Sequence, residues 1–235
     1  MRNRLNAYSF ASLETLLPGQ CWFTDVGNKH DPDADGFRYS RLAVCAKTAY
    51  GHITFGAHKH AQSLIEHLRE CLRESFQRTG NKAQLIRMDF ASEPSEAAVQ
   101  GRGEDVLTAE MTAFLDEPDI RGLRIVPNAP YTPAHNRAEN ARGILNAMCY
   151  VNHRRFNIGM AGWAIIEQGS LFQYNRHPMP FAEAAGARSM TRLEPFTGKS
   201  WDASTMIGTV EQGCWVSRSD GKLNEGRPRM EATTI

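Results

Sequence analysis

The chain has 235 residues, of which 41% are hydrophobic and 23% charged, with a net charge of +1. That mixture is ordinary for a chain that buries a core, and no stretch approaches the roughly 18 unbroken apolar residues of a membrane span. The basic start, Met1 to Ala7, leads into no apolar signal core, and the five cysteines form no C-x-x-C pair, which argues against a disulfide framework or cysteine zinc cage and suits a reducing compartment.

In chain order, Ser12–Leu17 reads as a short helix stopped by Pro18-Gly19. Cys21–Val26 reads as a buried strand with Asp25 near its C-terminal end, and the polar stretch 28–36 as a loop. Tyr39–Ala46 and Gly51–Ala57 follow as an antiparallel pair. Leu64, Ile65, Leu68, Cys71, Leu72 and Phe76 recur at three- and four-residue spacing, which predicts an amphipathic helix over 60–77, ended by Gly80. Ala83–Asp89 reads as a strand closed by a second aspartate, 90–105 as loop, Leu107–Leu115 as a helix and Leu123–Pro127 as a fifth strand. Helices are expected from near Asn136, with Ala138, Ala141, Leu145, Met148 and Val151 on its apolar side, and from Met160 toward Tyr174. Beyond Ala187 the pattern turns irregular, and Ser217–Ile235 is polar enough for disorder. The order implies an α/β fold that begins antiparallel and continues parallel.

Charge is unevenly spread. Residues 91–120 hold eight acids against Arg102 alone, whereas 137–155 hold Arg137, Arg142, His153, Arg154 and Arg155 against Glu139. Asp25 and Asp89 each close a predicted strand, and Glu139 lies in the first turns of a predicted helix. If the two strands are neighbours, both aspartates emerge at one sheet edge, and a helix crossing that edge brings Glu139 toward them. Crowded carboxylates repel unless cations neutralise them, and hard oxygen donors suit Mg²⁺ or Mn²⁺. On spacing alone, ordinary turn and helix-dipole roles stay open for all three acids.

The flanking residues add a resemblance. Pro18–Val26, Arg87–Glu93 and Ala129–Glu139, with its Pro130-Tyr131-Thr132-Pro133 run, resemble three successive motifs of integrase catalytic cores from copia-type LTR retrotransposons. Trp163 with Tyr174–Pro178, and Met190–Glu194 with Phe196–Lys199, are similar to the segments that follow, so the resemblance spans residues 18–200. It implies a ribonuclease-H-like fold, a five-stranded mixed sheet flanked by helices. It also implies DNA integration by a divalent-metal-dependent DDE polynucleotidyl transferase, with two ions (Mg²⁺ or Mn²⁺) held by Asp25, Asp89 and Glu139. DNA partners, self-association and work in the nucleus are implied with it. His135 and Asn136 match positions beside the DNA end. Arg142 is what remains of the family's basic run after the glutamate. Lys59, within His58-Lys59-His60, stands where the family meets target DNA. Arg154 and Arg155, with His153, are candidates either for phosphate contact or for complementing a helix C-terminus.

Four departures set this chain apart from the family pattern. Asp89 is followed by Phe90-Ala91 rather than Asn-Gly, and Arg137 stands where the family has glycine, with one residue missing. The forty-nine residues between Asp89 and Glu139 exceed the family's spacing, which suggests an insertion in the acidic 93–120 stretch. The basic run is thinned. These changes keep a second expectation in view, a catalytically silent derivative that binds nucleic acid or protein. A nuclease that cuts without joining is a third. The expected organisation is an N-terminal segment 1–17, a catalytic core 18–182 and a C-terminal extension 183–235.

Among smaller features, His30 with Asp31, Asp33 and Asp35 fits no calcium loop and reads as a polar turn. Trp22, Trp163 and Cys149 read as packing residues.

Overall fold

The structure, a computed structural model, describes residues 15–29, 31–88, 98–100, 105–127, 137–177 and 191–199. The run Cys21-Trp22-Phe23 opens β1, Cys21–Asn28, and all three side chains are buried. A strand apolar at successive positions needs cover on both faces, and β1 has it. Trp22 packs in one cluster with Ala43, Leu64, Leu68 and Ile86. Cys21 and Phe23 pack in the other with Leu42, Ala141 and Leu145. The core is therefore two apolar layers with one sheet between them.

That sheet joins β1 to β2, Tyr39–Cys45, and β3, Gly51–Gly56, through antiparallel pairings. On the other side β1 runs parallel to β4, Leu85–Met88. With α1, Ala61–Thr79, a short hairpin of β5, Ala98–Gln100, and β6, Asp105–Leu107, and α2, Ala109–Leu115, the chain then reaches β7, Arg124–Pro127. β7 pairs parallel with β4, giving the order β3-β2-β1-β4-β7. Two helices, α3, Arg137–Phe156, and α4, Trp163–Arg176, pack together on the second face, and a five-residue helix α5, Leu193–Thr197, returns to the first. The expected five-stranded mixed sheet flanked by helices is what forms.

The long helix keeps its predicted place because both ends are chemically marked. His60 caps α1 by accepting the Ser63 N–H, and Gly80 at φ 71° donates back to the Phe76 carbonyl. His60 therefore serves the helix start. The Asp31–Asp35 turn forms as read, with Asp33 Oδ1 accepting the N–H groups of Asp35 and Phe37 at 3.0 and 2.9 Å; His30 lies outside the described residues.

Two expectations are corrected. Thr15–Leu17 are not helical, and the rest of that expected helix lies outside the described residues, as does the tail 217–235. Part of the stretch read as loop forms the β5–β6 hairpin, whose three-residue strands are too short to show a period of two. α5, which follows the expected boundary at 182, packs Leu193 and Phe196 into the first apolar layer. Phe196 is 1% exposed, stacks on Tyr50 at 4.1 Å between ring centroids and meets Trp22 edge-on at 5.7 Å.

One side chain from α4 pairs with the backbone at the start of β3's free edge. Asn175 Oδ1 accepts the Gly51 N–H and its Nδ2 donates to the Gly51 carbonyl, both at 2.8 Å. Gly51 leaves room for Leu171, since a Cβ there would stand 2.7 Å from Leu171 Cδ1 and the leucine tip would have to shift. Asn175→Ala is expected to lower unfolding free energy by about 2–4 kcal/mol, because two buried backbone groups lose their partner. Urea denaturation checks this, and a loss below about 1 kcal/mol would refute the bracket.

Candidate functional site

Side chains alternate along a strand, so Asp25 points to the same face as Cys21 and Phe23, toward α3 and α4. It lies where the apolar part of β1 gives way to half-exposed residues, and its side chain is 20% exposed. The parallel neighbour β4 pairs Cys21 with Leu85, Trp22 with Ile86 and Phe23 with Arg87. The last described residue of β4 is Met88; Asp89, which follows it, lies outside the described residues, and so do His135 and Asn136. Glu139 is described, exposed and in the first turn of α3, a helix that packs against β1 and β2.

Arg142 departs from its expected role. It stands one turn beyond Glu139, and instead of facing solvent it is buried. Its Nε donates to Asp25 Oδ2, and its Nη2 donates to the carbonyls of Asp25, at 2.8 Å, and Ser40, at 3.1 Å. Its Nη1 donates to Ser40 Oγ at 2.9 Å and to Glu167 Oε1 at 3.1 Å. A guanidinium has five N–H donors. With five acceptors engaged, none remains for a DNA phosphate.

The rest of this cluster escaped the sequence. Glu167 is 1% exposed in the middle of α4, where an unpaired carboxylate would be prohibitive. It accepts from Arg142 and from Ser40 Oγ at 3.0 Å. Lys29 Nζ lies 3.3 Å from its other oxygen, an ion pair without hydrogen-bond alignment, and also rests over the Trp163 ring. Room for the guanidinium comes from Gly27, where a Cβ would stand 2.6 Å from Arg142 Nη1. The available signal was a lone acid directly after the apolar run Trp163-Ala164-Ile165-Ile166, which demands a cation if buried but does not say which one.

Carboxylate oxygens at a half-exposed sheet edge are the donor type that a hard divalent cation takes. Asp25 and Glu139 fit that chemistry, although among the described residues no three potential ligands come together.

No family model and no curated protein matches this sequence. Solved structures do. A chain of the simian T-cell lymphotropic virus intasome in complex with the PP2A regulatory subunit B56 gamma aligns with a TM-score of 0.55 at 15% identity, over 80% of this chain and 57% of that one. The HTLV-2 integrase catalytic core domain in complex with magnesium aligns in its trimeric form at 0.52 and in its dimeric form at 0.51. Those identities are 14% and 13%, and each alignment covers 77% of this chain and 98% of the core domain. The fold is that of an integrase catalytic core. At these identities the likeness establishes architecture alone, and the chain spans little more than half of the intasome chain.

On the integrase-core fold the remaining candidates fall in two places. Lys59, half-buried, follows β3, whose C-terminal end lies beside the end of β1 through Asn28↔Tyr39 and Tyr39↔Gly56. It is thus at the same end of the sheet as Asp25. Arg154 and Arg155 are exposed at the other end of α3, roughly 22 Å from Glu139 at 1.5 Å per residue. Arg154 lies over Tyr150 and Arg155 over Phe156. The fold does not bring these two to the carboxylate edge.

Proposed function

We propose that this chain is the catalytic core of a DNA integrase of the copia type, a polynucleotidyl transferase whose carboxylates are Asp25, Asp89 and Glu139. The observation that carries this reading is the parallel pairing of β1 with β4. Every β1 residue in the pairing faces the residue 64 positions later, and Asp89 follows Asp25 in the sequence by the same 64 positions, which supports the reading. α3 packs across β1 with Glu139 in its first turn. Two Mg²⁺ or Mn²⁺ ions held by these acids would activate an attacking oxygen and stabilise a leaving one in an in-line displacement.

The chain's own residues would do the rest. Asp25 is fixed by Arg142 through side chain and backbone, so its carboxylate has one orientation. Lys59 stands at the same sheet end and would meet phosphate there, and His135 and Asn136, just ahead of α3 in the sequence, would lie beside the DNA end. The magnesium complex of the HTLV-2 core and its dimeric and trimeric forms support metal use and self-association here. Work in the nucleus goes with the same reading. Among the described residues no helix is long and apolar enough to cross a membrane.

One observation favours a second reading, a catalytically silent derivative that binds nucleic acid or a protein through the same fold. Arg142, the remnant of the basic run, is spent on internal partners. Strand transfer of a labelled duplex with Mn²⁺ separates the two readings. Joined or nicked product is expected from the wild type and none above background from Asp89→Asn. A folded wild type that yields no product would move the assignment to the silent derivative.

A further inference from the structure

We infer that Arg142 is a built-in counter-cation of the carboxylate edge, which occupies Asp25 in place of a metal and keeps the DNA-free protein's affinity for divalent cations low. The inference rests on the reading above in one respect, that a divalent cation would be held at Asp25.

The arrangement is built from four parts of the chain. Arg142 comes from α3, Asp25 and Gly27 from β1, Ser40 from β2 and Glu167 from α4. The guanidinium reaches Asp25 twice, at Oδ2 and at the backbone carbonyl, and is held from behind by Ser40 and the buried Glu167. Gly27 supplies the space, because any side chain at that position would collide with Nη1. Lys29 adds a second cation on Glu167. This anchorage distinguishes Arg142 from a surface arginine that swings away when a ligand arrives. Withdrawing it would leave Glu167 buried with only Lys29, and Ser40 without its donor.

The electrostatic consequence has a definite sign. A fixed positive charge hydrogen-bonded to one oxygen of a carboxylate repels a dication approaching the other. Within a few ångströms, in partly buried surroundings, that repulsion is far larger than in bulk water. A metal site that depends on Asp25 is therefore weak while the guanidinium stays, and gains affinity when its charge is removed.

Mn²⁺ binding to the full chain without DNA, followed by titration calorimetry and by the spin-resonance signal of free Mn²⁺, tests this. Arg142→Gln is expected to bind Mn²⁺ at least about tenfold more tightly than wild type, with the gain lost in Arg142→Gln/Asp25→Asn. Because Arg142→Gln leaves Glu167 short of a cation, Arg142→Gln/Glu167→Gln is the second variant, and the same gain is expected from it. Affinity equal to or below wild type in a folded variant overturns the inference. Should neither fold, the wild type decides. Millimolar Mn²⁺ is expected to leave its melting temperature unchanged, and a rise of several degrees overturns the inference. Tighter Mn²⁺ binding in a variant alongside a wild type that joins no DNA would uphold the counter-cation and remove the integrase assignment. Strand transfer by the wild type with no gain in the variants would do the reverse.

Discussion

Replacing Glu167 by alanine is expected to lower the unfolding free energy by about 3–5 kcal/mol, the cost of breaking a buried ion pair by removing one partner. Glu167 is 1% exposed and answers two cations, Arg142 and Lys29. Without it Arg142 keeps Asp25 but loses the acceptor that draws its Nη1 inward, and Ser40 Oγ loses the oxygen it donates to. Glu167→Gln keeps a carbonyl oxygen for Arg142 and Ser40 and removes only the charge, so a smaller loss of about 1–2 kcal/mol is expected. Urea denaturation at neutral pH measures both, with the slope against denaturant unchanged if the variants unfold from the same compact state. An alanine variant within about 1 kcal/mol of wild type would show that water reaches the cluster and screens it. The ordering of the two substitutions matters as much as their size, because only a charge-bearing, water-poor cluster makes alanine clearly worse than glutamine.

The same cluster shows where sequence stops being informative. Asp25 was legible because it follows the buried strand start Cys21-Trp22-Phe23-Thr24, and Asp89 because it closes a second short strand-like run in the sequence. The long helix α1 was legible from six apolar residues in register and a glycine stop. The partner of Asp25 was not, since Arg142 lies 117 positions away and only the packing of α3 on β1 and β2 decides that its side chain turns inward. From the sequence, an arginine after an exposed glutamate looked like a phosphate ligand. From the fold, it is a strut between strands and helices. Asn175 is similar, a motif residue whose work is to pair with the backbone at the start of β3's free edge. The hairpin of β5 and β6 and the five-residue α5 were illegible for another reason. Segments that short carry no periodicity, and their place is fixed by contacts such as those of Phe196 with Tyr50 and Trp22. The position of Glu139 relative to Asp25 depended on the crossing of α3 over the sheet, which spacing alone left open.

On the opposite face of the sheet, acid is expected to destabilise the protein in two stages that belong to different residues. His67 of α1 is fully enclosed, with Nδ1 2.7 Å from Thr54 Oγ1. Burial, followed by the positive charges of His52, Arg41 and Arg142, holds its pKa well below the ordinary 6.5. The unfolded chain takes up a proton there as pH falls through 6.5 and the folded chain does not, so stability is full above that pH and is lost below it. The slope below that pH is at most about 1.4 kcal/mol per pH unit for this one group. Glu74 governs the second stage. Burial alone would raise its pKa, but the hydrogen bond and charge of His52, at 2.5 Å, and then Arg78, hold it at about 2 instead of 4.5. Its contribution is present above pH 4.5 and disappears as pH falls toward 2. With its side chain 26% exposed, solvent screening keeps the loss below the roughly 3 kcal/mol that the shift alone implies. Urea titrations across this range in wild type, His67→Gln and Glu74→Gln separate the stages. His67→Gln is expected to flatten the loss between about pH 6.5 and 5 and leave the lower stage intact, while Glu74→Gln does the opposite. If His67→Gln loses as much stability as wild type over the upper window, the buried imidazole is not the group that senses it, and the early acid response must come from elsewhere in the chain.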